Sequence, residues 1–97
     1  MKWIELILVR ALDSRQKPTI IRFVDHLMAN GPSDQLKAVT MYRDAFVDTD
    51  ICVYLQWEAQ DKSPTRSDVG IKMAAALEEF GRVYHTLWIQ DEDSKNR

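Results

Sequence analysis

The chain has 97 residues, enough for one domain at roughly 100–150 residues per domain. Thirteen Lys/Arg against fifteen Asp/Glu leave a formal charge of −2, so there is no strongly basic field to hold a nucleic-acid backbone. A composition of 45% hydrophobic and 29% charged residues excludes a disordered chain, and a lone cysteine, Cys52, excludes an internal disulfide. The longest apolar runs fall short of the ~20 residues that span a bilayer. Met1-Lys2-Trp3-Ile4-Glu5 carries charge too early for a signal peptide. The expectation is a soluble, cytoplasmic protein that partners neither nucleic acid nor membrane. Its single domain spans residues 1–92, and residues 93–97 form a polar tail with nothing to bury.

Residues 2–12 are apolar and rich in strand formers, and no cap precedes them; a strand is expected. Its two sets are Ile4, Leu6, Leu8 with Arg10, and Trp3, Ile7, Val9 with Glu5. After a polar loop and Pro18, the residues Ile20, Phe23, Val24, Leu27 and Met28 recur at helical spacing. This predicts a helix over 19–30, ended by Gly31 in the left-handed conformation and by Pro32. Residues 36–47 alternate as a second strand, with a bulge expected near Asp44-Ala45. Asp48-Thr49-Asp50 breaks the pattern, and 51–58 alternates again, so the two strands form an antiparallel hairpin. Ser67 is the expected cap of a second helix over 68–80, whose stripe is Val69, Met73, Ala76, Leu77 and Phe80. Gly70 weakens its first turn and Gly81 ends it. Residues 82–90 alternate as a fourth strand.

The order β-α-β-β-α-β with right-handed crossovers gives an α+β, ferredoxin-like domain: a four-stranded antiparallel sheet with two helices on one face. Ile4/Leu6/Leu8, Val39/Met41, Ile51/Val53/Leu55/Trp57 and Val83/Leu87/Ile89 are the expected helix-packed core. Trp3, Tyr54 and Trp88, among others, then lie on the open face. A patch that apolar predicts a homodimer packed sheet to sheet.

Few residues point to chemistry. No Cys-x-x-Cys, His-Glu-x-x-His, P-loop or Gly-x-Gly-x-x-Gly is present, so neither a metal site nor a phosphate-binding loop is expected, and no cofactor is called for. Cys52 reads as an inert strand thiol. The third strand lacks the basic-aromatic signature of an RNA-recognition module. His85 is the candidate polar anchor or base, since imidazole is the side chain suited to proton transfer near neutrality; His26 ranks below it. Trp57 is a candidate stacking wall, and Arg10 a second polar anchor that interrupts an apolar strand. Glu5 reads either as a charge at the dimer seam or as a pocket acid.

Two segments carry a family resemblance: Val53-Tyr54-Leu55-Gln56-Trp57-Glu58, and the stretch from Ala76 through Phe80-Gly81-Arg82 to Trp88. With the strand-helix order they make the chain resemble the dimeric α+β barrel proteins, and within them the antibiotic-biosynthesis-monooxygenase-like group. The resemblance implies a homodimer with a pocket between helices and sheet. It further implies either a small apolar or aromatic ligand or, alternatively, cofactor-independent oxidation of an aromatic phenol or quinol. In that alternative His85 would be the base. Haem-degrading relatives use an Asn on strand one, a Trp on strand three and a His on helix two. Trp57 corresponds to the Trp, whereas strand one here has no Asn and helix two no His.

Overall fold

The computed structural model describes residues 1–29, 35–60 and 63–91. Strand β1 (Lys2–Ala11) is followed by a short 3-10 turn (Ser14–Gln16), helix α1 (Lys17–Ala29), strands β2 (Leu36–Arg43) and β3 (Asp50–Glu58), helix α2 (Asp68–Leu77) and strand β4 (Gly81–Ile89). The four strands form one antiparallel sheet in the order β2-β3-β1-β4. This is the expected ferredoxin-like α+β fold. No described helix is long and apolar enough to cross a membrane.

Each boundary has a local cause. Asp13 caps the 3-10 turn by accepting from the Arg15 backbone N–H at 2.9 Å, and its carboxylate also holds the Arg15 guanidinium. The chain then enters α1 two residues earlier than the apolar stripe suggests. Ser67 caps α2 as expected, its Oγ accepting from Gly70 N–H at 2.9 Å. That helix stops at Leu77, three residues short of the expectation. Gly81 does not end it through a left-handed turn, since no described glycine has a positive φ. It opens β4 instead, opposite Ala11, where a Cβ would collide with the Arg10 carbonyl oxygen. The expected Gly31-Pro32 stop and the polar tail lie outside the described residues.

The hairpin departs from expectation in one respect. β2 ends at Arg43, and the irregularity in its pairing falls between Leu36 and Ala38. Asp44 is the reason the strand stops. Its Oδ1 accepts from the backbone N–H groups of Phe46 (2.8 Å) and Val47 (3.0 Å), folding the chain into a turn that a bulge would not provide.

The pairing register also corrects the assignment of faces. Trp3 lies opposite Trp57, Glu5 opposite Leu55, Ile7 opposite Val53 and Val9 opposite Ile51. Directly paired residues share a face. Trp3, Glu5, Ile7 and Val9 therefore face the helices, and Ile4, Leu6 and Leu8 the open side, the reverse of the sequence reading. Ile7, Val9, Val53, Leu55, Ile20, Val24, Met73 and Leu77 are fully or almost fully buried together as the core. Trp3 is only 5% exposed and stacks on Trp57 with centroids 6.4 Å apart, so it does not belong to the open face as expected. Both β1 sets are similarly apolar and each carries one charged residue, Arg10 or Glu5, so alternation alone does not orient the strand. Tyr54 and Trp88 do lie on the open face, with Tyr42 packed edge-on against Tyr54 and Trp88 Nε1 donating to Thr86 Oγ1.

The two backbone donors on Asp44 hold its carboxyl below the ordinary aspartate value of 3.8. Its contribution to stability is therefore complete above pH 3.8 and lost as the pH falls through the lower folded-state value. In Asp44→Ala, thermal unfolding followed by circular dichroism should show a lower midpoint than wild type at pH 7. The gap should close on acidification below that range.

Candidate functional site

An isolated carboxylate has no place in an apolar core: burying it unpaired costs many kcal/mol. Glu5 is nonetheless 0% exposed, in the middle of β1 on the helix-packed face. The fold gives each of its oxygens a partner. Oε1 accepts from the backbone N–H of Ser67, at 3.2 Å, and Oε2 lies 2.6 Å from His85 Nε2. Ser67 is the cap of α2, so the carboxylate sits at that helix's N-terminus, where the peptide dipoles favour negative charge.

Room for the carboxylate comes from Gly70. A Cβ at that position would overlap Glu5 Oε2. The same glycine donates its N–H to Ser67 Oγ, which ties the cap to the space it opens. Glycine in a helix ordinarily costs ~1 kcal/mol against alanine. Here it is what admits the acid.

β4 supplies the imidazole. His85 shares a strand face with Val83 and Leu87, and its side chain is 9% exposed. An ionised carboxylate can only accept, so Nε2 is assigned as the donor and the neutral ring carries its lone pair on Nδ1. This is the arrangement of an oriented base: a fixed acid on one ring nitrogen, a basic site on the other.

His85 also borders an open cleft of about 360 Å³ between α2 and β4. Ile71, Ala74, Ala75 and Glu78 line it from the helix, at spacings 3, 4 and 7 from Ile71, which is one helical stripe. Val83 and His85 line it from the strand, and Arg66 stands at its edge. The Arg66 guanidinium is fastened to the site, Nη2 donating to the carbonyl oxygen of His85 itself at 2.9 Å.

The three residues marked by sequence do not converge. Trp57 pairs with Trp3, whereas His85 pairs with Ile7. Four residues along β1 separate them by ~13 Å at the usual strand rise. Trp57 borders a different cavity, of about 490 Å³ at the strand ends, together with Lys2, Lys37, Glu58 and Trp88. Arg10 lies on the opposite sheet face, 3.6 Å from Asp50 and 5.7 Å from the Tyr84 ring centre. Cys52 is on that face as well. Burial, followed by the charges of Asp50 and Asp44, pushes its thiol above the usual range, which keeps it protonated and unreactive. Among the described residues, no three His, Cys, Asp or Glu side chains gather to hold a metal ion.

Sequence reasoning named His85 and entertained Glu5 as a pocket acid, but it missed Ser67, Gly70 and Arg66 as site residues. Gly70 was the available signal: a glycine inside a helical stripe points to a packing reason at that position.

With this geometry in place, the likenesses to known proteins are informative. No protein-family model matches the sequence, and no curated protein is similar to it at the sequence level. Solved structures are similar over nearly the whole chain. A mutant of SnoaB, a cofactor-independent oxygenase from Streptomyces nogalater, superposes with a TM-score of 0.65 at 13% identity, covering 94% of both chains. A conserved protein from Methanosarcina mazei Go1 gives 0.70 at 9% identity, again over 94% of each chain. An antibiotic biosynthesis monooxygenase gives 0.58 at 11% identity, over 94% of this chain and 97% of that one. At such identities the likeness establishes shared architecture. The chain has the ferredoxin-like α+β fold of the antibiotic-biosynthesis-monooxygenase-like proteins.

Gly70→Ala separates the two roles of that glycine. Helix propensity alone predicts a gain of ~1 kcal/mol. The overlap with Glu5 predicts a net loss of about 1–3 kcal/mol instead, as for other overpacked sites. Chemical denaturation of the two proteins decides the sign.

Proposed function

We propose that the α2–β4 cleft binds a small apolar or aromatic molecule with an acidic hydroxyl, and that His85 accepts its proton while Glu5 holds the ring. One observation carries this reading: a wholly buried carboxylate is spent on orienting an imidazole that lines an open cleft. A purely structural histidine needs no such partner, and a backbone carbonyl would satisfy it more cheaply. The apolar stripe of α2 offers surface for a ring system. Trp57 and Arg10 lie outside this cleft and are not assigned to it.

A second reading goes further, and the likeness to a cofactor-independent oxygenase favours it. A phenol or quinol deprotonated by His85 becomes an electron-rich anion that dioxygen can oxidise directly. One oxygen atom stays on the ring as a quinone carbonyl and the other leaves as water. The proton taken by Nδ1 returns to the reduced oxygen. Glu5 keeps the ring in place and offsets the positive charge it acquires on protonation.

2-Naphthol is a suitable probe. Titrated into ¹⁵N-labelled protein, it should shift the amides of Ile71, Ala74, Ala75 and Val83 in wild type and much less in His85→Ala. The absence of shifts in that strip would overturn the cleft reading. Oxygen uptake with dihydroxynaphthalenes tests the second reading. Loss of the base should lower the rate about 10²–10⁴-fold in His85→Ala, whereas uptake no faster than in buffer would remove the oxygenase.

We also infer a homodimer formed through the open sheet face. Two helices cover only one side of the sheet, and the other carries Ile4, Leu6, Leu8, Tyr54 and Trp88, the last 58% exposed in the single chain. Each large side chain covered contributes roughly 1.5–3 kcal/mol, against an association cost of order 4–15 kcal/mol. Sedimentation equilibrium should return twice the 11.3 kDa chain mass. Leu6→Arg, which places a charge at the middle of that face, should return the single mass with the far-ultraviolet spectrum unchanged.

A further inference from the structure

We propose that the His85 cleft selects an anion, a hydroxyaromatic carboxylate, and that Arg66 is the residue that recognises the carboxylate. This rests on the cleft reading above and names the class of ligand it takes.

Charge changes sign along the cleft. Its middle is apolar: Ile71, Ala74, Ala75 and Val83. Arg66 lies beside His85, bonded to the carbonyl of that same residue, and precedes the N-terminus of α2. Glu78 is the last member of the helical stripe, seven residues on from Ile71, or ~10 Å along the axis. The cleft therefore has a positive end, an apolar body and a negative end. An apolar molecule with a single negative group fits it in one orientation, with the anion toward Arg66 and away from Glu78.

Competing charges near the positive end are accounted for. Glu5 faces His85, but its two oxygens are engaged by His85 Nε2 and the Ser67 N–H. Asp68 and Lys72, also on α2, are exposed and do not line the cleft. No ion pair to Arg66 forms among the described residues. One Nη is spent on the His85 carbonyl, which fixes the guanidinium plane at the cleft edge and leaves its remaining N–H groups to a carboxylate in forked geometry. Arg66 thus lines the same cleft as the imidazole that takes the ligand's proton. It recognises the acid group while His85 receives the hydroxyl.

A matched pair of ligands tests this: 3-hydroxy-2-naphthoate and 2-naphthol, which share ring system and hydroxyl and differ only by the carboxylate. Dissociation constants come from the same ¹⁵N titrations, at low and at 0.5 M salt. The naphthoate should bind wild type at least tenfold more tightly than the naphthol, and the preference should shrink at high salt. In Arg66→Gln, which keeps a side-chain N–H for the His85 carbonyl and removes the charge, the preference should vanish while naphthol affinity stays within about twofold. Glu78→Gln should leave the preference in place or enlarge it. Equal binding of the two ligands to wild type, or a preference that survives Arg66→Gln, overturns the assignment and leaves the cleft reading standing. If neither ligand shifts the α2 and β4 amides, both fall together.

Discussion

A negative charge enclosed by apolar neighbours is the constraint around which this small domain is arranged. Glu5 is held by groups from two other elements, the capped end of α2 and the edge strand β4, which reach it across 62 and 80 residues of sequence. Each partner is positioned for reasons of its own. Ser67 is where the helix begins, Gly70 is where the helix gives way, and His85 is fixed by strand register. Removing one member strands the others: a buried polar group that loses its hydrogen-bond partner costs about 1–3 kcal/mol, and more when it is charged. An apolar residue at position 5 would make a simpler core. Keeping an acid there makes sense if the imidazole it holds is used.

The architecture was readable from periodicity and breaker residues. Two stripes at helical spacing, one apolar run of strand formers, three alternating runs and the Ser67 cap were enough for the element order and for the fold. The orientation of β1 was not readable, because Trp3/Ile7/Val9 and Ile4/Leu6/Leu8 are nearly equal in apolar content. The purely aliphatic set was taken for the core, and charge gave no help, since Arg10 stands in one set and Glu5 in the other. Alternation patterns assume that a polar residue seeks water. They fail where a partner from a distant strand satisfies it.

The site was only partly legible for a related reason. Histidine chemistry singled out His85, but Arg10 and Trp57 were chosen as unusual residues on their own strands, and a strand separates its residues by length and by face. Arg10 ended on the far side with Asp50 and Tyr84, and Trp57 in an aromatic stack with Trp3. Convergence depends on register, which a single sequence does not state. Arg66 looked like one more polar loop residue, and only the neighbouring strand shows what it holds.

That tether has a consequence for how the protein stays apart from its neighbours. β4 is the last strand of the sheet, paired on one side only. The backbone bonds Gln90 N–H to Lys2 O and Leu12 N–H to Phe80 O place the even-numbered residues of this segment in the narrow ladder, so the His85 carbonyl turns outward. An outward row of peptide groups is a template onto which a foreign strand can zip. With the Arg66 guanidinium on it, the central acceptor of that row is closed to the N–H of an incoming strand.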